Sequence, residues 1–386
     1  MKGLTQMKTQ RTLAIALALL TVGPLAARNK DGNDTPKSAP AAKAAGCDPA
    51  IGKNELDLNN VRALVETGGS MWQNRDQRKP AYEVPKTPDR TGPNSMFSGS
   101  LWMGGMSPDN VLKLAAVQYR DQGNDFWPGP LTNTGDASVT SAVCAKYDRM
   151  WKTYRVDAEK HSAYYRCLFD PNCAPNIAQE FPNGWTPPLE FYSWPANGDV
   201  AAGQDVNLAP YFDNPLGPNG ADGYYDPNDG DYPRFDLDNI VDCRQRRRQD
   251  PVALYGDQNI WWVFNDKGNS HTESAGQPIG MEIRAQAFSF STNDEVNNMT
   301  FYNYVLLNQG TQTLTRTYFG QYADPDLGCS DDDFVGCDVQ RGLGYVYNWD
   351  EDDQSCKAGI PGYGSPPLRW ASTSSRVRSR TRIPCW

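Results

Sequence analysis

The sequence predicts a mainly-β fold: a β-sandwich-like body with long ordered loops and a small helical insertion near residues 140–168. Three observations predict it. Short runs of aromatic and β-branched residues recur along the chain, the clearest being IWWVF at 260–264. Apolar Met281, Ile283, Ala285 and Ala287 alternate with Glu282, Arg284 and Gln286, the period of a strand. The 34 glycines and 29 prolines make turns frequent and long uninterrupted helices few.

The chain opens with Lys2, Lys8 and Arg11, an apolar run from Leu13 to Val22, then Gly23-Pro24 and the small residues Ala26-Ala27. That order is the signal-peptide order, with cleavage expected after Ala27. The run falls short of the roughly 20 apolar residues a membrane span needs, and the mature chain is expected to have no transmembrane span. Cys47 stands too far past the run to be a lipid-attachment cysteine. Residues 28–46 are polar and rich in Ala and Pro, which predicts a flexible linker.

From 47 to 200 the expected region is β-rich. Runs at 60–65, 100–103 and 111–117 are separated by Gly68-Gly69, Gly104-Gly105 and Pro128-Gly129-Pro130, and read as strands and hairpins. The exception is the insertion, where Val143, Tyr147, Met150, Trp151, Tyr154, Ala158, His161, Tyr164 and Tyr165 recur at helical spacing. This predicts two short helices with a break near Thr153, and His161 as a packed histidine. From 201 to 365 a second sandwich-like region carries acidic loops. Its alternation slips at Phe288 and Phe290, which predicts a bulge. Asn308-Gln309-Gly310-Thr311 predicts a hairpin turn between 299–307 and 314–322, and 342–347 is a further strand.

The net charge is −9. The leader and the last 21 residues are basic and acid-free, so the body between them is more acidic still. Nucleic acid is therefore not an expected partner, because phosphate binding needs clustered Lys and Arg. Arg244 with Arg246 to Arg248 is read as a solvated loop. Nine cysteines in an exported chain predict disulfides. Cys167 with Cys173, and Cys329 with Cys337, could each close a short loop, and Cys385 is left over. With only His161 and His271 present, structural zinc is not expected.

Several long strings carry a resemblance: SLWMGG (100–105), GNDFWPGP (123–130), LYGDQNIWWVFNDKGNSHTE (254–273), IGMEIRAQAFSFSTNDEVNNMTFYNYVLLN (279–308), YADPDLG (322–328) and VGCDVQRGLGYVYN (335–348). Over about 47–365 the chain resembles uncharacterised exported surface or secreted proteins of bacteria with a type IX secretion system. The resemblance implies a secreted or outer-surface destination and no particular reaction. Such proteins usually end in a C-terminal sorting domain, which this sequence lacks, so it reads as an N-terminal portion. Residues 366–386 read as an out-of-frame tail. Codons for Arg369 to Arg376 can be chosen that give a strand-like apolar string in another frame. A basic tail docked on the acidic body is the alternative.

The acidic loop 213–231 is the candidate site. Ca²⁺ wants six to eight oxygens, with glycine allowing a tight wrap. Asp213, Asp222, Asp226, Asp229 and Asp231 are the expected ligands, and a metal-free loop of Asx turns accounts for the same residues. A second cluster, Asp324, Asp326, Asp331 to Asp333 and Asp338, reads as a solvated loop pinned by Cys329–Cys337. No nucleophile elbow, phosphate loop or zincin motif is present. The expected function is a non-catalytic surface module for adhesion, glycan contact or display of downstream domains. A secreted, glycoside-directed hydrolase is the alternative, with Asp257 and Asp266 near His271 or acid–aromatic neighbours such as Glu190 and Trp194.

Overall fold

Two large antiparallel sheets share a core. The computed structural model describes residues 46–121, 123–237, 253–356, 360–367 and 369–373. The signal peptide, almost all of the linker, the Arg244–Arg248 cluster and Cys385 lie outside the described residues. The first sheet has seven strands, built on Lys53–Leu56, Arg62–Glu66, Ser70–Met71, Ser98–Met106 and Thr315–Asp324. The second has five, with Trp151–Tyr154, Gln258–Asn265, Met281–Ser289 and Phe301–Asn308 in that order and Trp127–Pro128 pairing at the side. Each sheet therefore draws strands from both sides of residue 200.

The Gln258–Asn265 strand shows why the body is β. All eight of its residues are buried. Ile260, Trp262 and Phe264 point into the core shared with Val65, Met71, Leu101 and Met103 of the first sheet. Trp261 and Val263 point the other way, into a second core with Trp151, Phe191 and Trp194. Covered on both faces, the strand reads as a continuous apolar run. A third strand group, Asp333–Asp338, Leu343–Asn348 and Arg369–Thr373, forms a separate three-stranded sheet. The opening of the 366–386 stretch is thus strand, its backbone paired with Leu343–Asn348.

The helical insertion contains helices Ser141–Lys146 and Arg155–Phe169. The break near Thr153 is itself a strand, Trp151–Tyr154, paired with Gln258–Asn265. Trp151 and Thr153 are buried and alternate with partly exposed Lys152 and Tyr154, a period of two hidden inside the helical spacing.

Three expectations are corrected. No bulge interrupts Met281–Ser289, whose register runs unbroken from Gln258↔Ser289 to Asn265↔Glu282. Phe288 breaks the alternation because its side of the sheet is covered too, by Tyr255, Phe290 and Phe301. A register shift does occur in Thr315–Asp324, between Thr315 and Tyr318. Residues 308–311 are not a hairpin turn: the strand before them pairs with Met281–Ser289 and the strand after them with Ser98–Met106. The connection carries the chain from one sheet to the other.

The third correction concerns the cysteines. Cys167–Cys173 is bonded, as is Cys47–Cys144. Cys329 pairs with Cys356, and Cys337 is a free, exposed thiol. Cys337 lies inside the Asp333–Asp338 strand, while the sulfur of Cys329 is taken by Cys356.

Candidate functional site

The five predicted ligands lie on one loop, closed at its base by Tyr211–Phe212 pairing with Tyr232–Pro233. Each carboxylate is engaged by the loop itself. Asp213 Oδ2 accepts from the Gly223 amide at 2.7 Å, and Asp222 Oδ1 from the Tyr224 amide at 2.8 Å. Asp226 Oδ1 caps a short turn through the amide and side chain of Asn228. Asp229 accepts from the Asn219 amide at 3.3 Å. Asp231 accepts from the Asn214 and Asp226 amides at 2.8 and 2.9 Å. Asp229 and Asp231 are buried. Burial pushes Asp231 up to about 6, opposed by its two backbone donors and reinforced by the charges of Asp213 and Asp229. Asp213 Oδ1 is buried without a hydrogen-bond partner. No three of the five bring an oxygen each within 4.8 Å of one another.

Among the described residues the set that does converge this tightly is Cys329, Asp331 and Cys356. Its two sulfurs are bonded to each other, so it offers a metal a single carboxylate.

The second acidic cluster is less solvated than its sequence implies. Asp324 accepts from the Tyr119 hydroxyl at 2.6 Å. Burial, then the charges of Asp324 and Asp331, pushes Asp326 up to about 7. Burial also pushes Asp333 up to about 8, against the pull of the Leu327 amide and with Asp326, Asp332 and Asp353 adding to it. Asp338 lies apart, partly exposed and paired with Arg341.

On the three-stranded sheet, sequence reasoning saw the strand but not its face. Tyr345, Tyr347 and Trp349 follow at every second position and are all exposed, Trp349 by 69%. Phe334 stands across from Tyr347 in register. Phe334 stacks on Trp349 at 5.0 Å and on Tyr347 at 5.9 Å between ring centroids, and Tyr345 stacks on Tyr347 at 6.2 Å. Opposite Tyr345 is Gly336, where a Cβ would come within 2.4 Å of the tyrosine ring. The missing side chain lets Tyr345 lie across bare backbone. The alternation in YVYNW was the available signal. By contrast Trp72, Trp127, Trp151, Trp194, Trp261 and Trp262 are all buried.

Of the residues offered for hydrolysis, Asp266 lies beside His271, its Oδ2 4.0 Å from Nε2, but Asp257 does not join them. Asp257 precedes the first residue of Gln258–Asn265 and Asp266 follows its last, a rise of about 27 Å for eight residues. Both ring nitrogens of His271 are held by backbone carbonyls, Leu114 at 2.6 Å and Asp266 at 2.7 Å, leaving no nitrogen to act as a base. His161 is fully buried among Tyr165, Phe191 and Tyr232 and accepts from Trp185 Nε1, a packed histidine. A surface concavity of about 220 Å³ lies elsewhere, lined by Lys152, Thr153, Tyr154, Asp157, Pro188, Glu190 and Phe191. Burial raises Asp157, with Lys160 opposing and Glu190 reinforcing. No helix among the described residues is long and apolar enough to cross a membrane. The chain matches no protein-family model, no curated protein and no solved structure.

Proposed function

We propose that this chain is a non-catalytic module, secreted or held at the outer cell surface, that contacts glycans through the aromatic row Phe334, Tyr345, Tyr347 and Trp349. The observation that carries the reading is exposure. Most tryptophans are spent on the core, yet these four rings share one solvent-facing side of a small sheet. A contiguous exposed aromatic patch marks an interaction surface. Flat apolar faces with a polar tip suit a ligand that has both ring faces and hydroxyls, as a sugar does. The disulfides fit an oxidising, extracellular compartment. Calcium would stiffen the 213–231 loop, and the partnerless Asp213 Oδ1 is the oxygen that favours it. A glycan array probed with the full chain tests the reading. Binding that Trp349→Ala and Tyr347→Ala abolish supports it, and no binding to any glycan overturns it.

A second reading, a glycoside-directed hydrolase, is favoured by the concavity that holds Asp157 and Glu190, since such chemistry needs two carboxylates about a sugar site. A hydrolase panel run with Asp157→Asn and Glu190→Gln decides it.

A further inference from the structure

His271 joins two parts of the fold that the sequence keeps far apart. It lies in the 266–280 connection between two strands of the second sheet. Its Nδ1 contacts the Leu114 carbonyl on the Leu112–Ala115 strand of the first sheet. Its Nε2 contacts the carbonyl of Asp266, at the base of its own connection. A carbonyl oxygen only accepts, whereas a neutral imidazole has one N–H and one lone pair. At 2.6 and 2.7 Å, both contacts are hydrogen bonds only when both nitrogens carry protons. A neutral ring would set one lone pair against another in a buried site.

The surroundings suit a cation. Asp125 Oδ2 lies 3.9 Å from Nδ1 and Asp266 Oδ2 lies 4.0 Å from Nε2, and all three side chains have zero exposure. Trp127, buried beside them, has its ring centroid 5.9 Å from the imidazole, within reach of a cation–π contact. The two carboxylates are anchors in their own right. Asp125 accepts from the amides of Ala116, Glu273 and Ser274, and Asp266 from those of Ile279, Gly280 and Met281. Glu273, half-buried, lies against Asp125, and Arg120 offsets part of its charge. With His271 neutral, two fully buried carboxylates would flank an uncharged ring, an expensive arrangement. The approach is close: a Cβ on Gly276 would stand 2.4 Å from the Leu114 carbonyl oxygen.

We propose that His271 is a buried imidazolium that latches the 266–280 connection to the Leu112–Ala115 strand, and that loss of its proton opens the latch. A ring with one N–H can donate to only one of these two carbonyls, so on loss of the second proton one of the two hydrogen bonds fails.

The test is imidazole ¹⁵N–¹H spectroscopy on the full chain labelled at histidine, from about pH 5 to pH 10. Only two histidines exist, and His161→Phe assigns them. His271 is expected to show two N–H groups at neutral pH, while His161, whose Nδ1 accepts from Trp185, shows one. Amide exchange at Ser274, Met281 and Leu114 should accelerate as the second proton is lost. His271→Gln should bring the same acceleration at neutral pH, roughly 10-fold to 100-fold for one charge-assisted hydrogen bond. A single N–H on His271 at neutral pH overturns the proposal. So does exchange that ignores the protonation step. Neither measurement on the wild-type chain depends on whether the variant folds.

Discussion

Asp326 sits two residues beyond Asp324, the last residue of the Thr315–Asp324 strand, and feels its charge, and among the described residues no basic side chain is bonded to either carboxylate. Burial first, and then the repulsion of Asp324 and Asp331, holds the Asp326 carboxyl up to about 7. Asp333, close by, is held up to about 8. An unfolded aspartate titrates near about 3.9. The folded state therefore binds these protons more tightly than the unfolded state, and the stability they supply is complete below about pH 4. It is lost as pH rises through about 7 and 8. Thermal unfolding of the wild type should show Tm falling across that window, and Asp326→Asn or Asp333→Asn should flatten the slope. A wild-type profile that rises from pH 5 to pH 8 would contradict this.

The 213–231 loop gives a separate prediction. A cation bound only by the native state raises Tm with its concentration. Millimolar Ca²⁺ against chelator should raise Tm, and Asp213→Asn should remove the response by deleting the partnerless oxygen. If Tm is the same with Ca²⁺ and chelator, the carboxylates serve only the backbone amides they already hold.

What the sequence revealed and what it hid divide along physical lines. The strands were legible where residue type and period agreed, as at 258–265. The five carboxylates lie on one loop, as their spacing in sequence dictates, but their orientation was not readable, because Asx turns and metal shells use the same residues. Pairing between distant segments was invisible. Nothing near 308–311 says that the chain leaves one sheet for the other, and nothing near His271 points to Leu114. Alternation found the Met281–Ser289 strand, but its slip at Phe288 was misread as a bulge because that side of the strand is covered too. The aromatic row at 345–349 was written in plain alternation, but only the structure shows that its side faces solvent.

The disulfides should differ in weight. Cys47–Cys144 spans 97 residues and Cys167–Cys173 spans six. By chain-entropy arithmetic the first restricts the unfolded state by about 4–5 kcal/mol and the second by about 2 kcal/mol. Denaturant unfolding of the paired Cys→Ser variants should show the larger loss for Cys47/Cys144. Equal losses would mean that contacts around the bonds, rather than loop closure, set their value.

The core prediction concerns Phe264, fully buried between the sheets and packed edge-on against Phe126 at 5.4 Å. Phe264→Ala should cost about 3–5 kcal/mol through lost burial and the cavity left behind. Circular dichroism through a urea titration measures it. A loss below about 1 kcal/mol would show that the two sheets do not depend on this contact.

His161 should give a pH response opposite in sign to that of the acidic cluster. Burial holds its ring down to about 4, against the pull of nearby backbone groups of Asp231 and Pro227. Unfolded, a histidine titrates near about 6.5. Below that value the unfolded chain takes up a proton that the folded ring refuses, so stability is intact above about pH 6.5 and is lost as pH falls toward about 4. The ring contacts Tyr232, which closes the 213–231 loop, so the loss should appear locally before it appears globally. Amide exchange in 213–231 should quicken between about pH 6 and pH 4 in the wild type. His161→Phe keeps the aromatic packing and gives up only the bond from Trp185, and should remove that acceleration. If the variant still opens on the same acid limb, the carboxylates of the loop drive it, and His161 is a spectator.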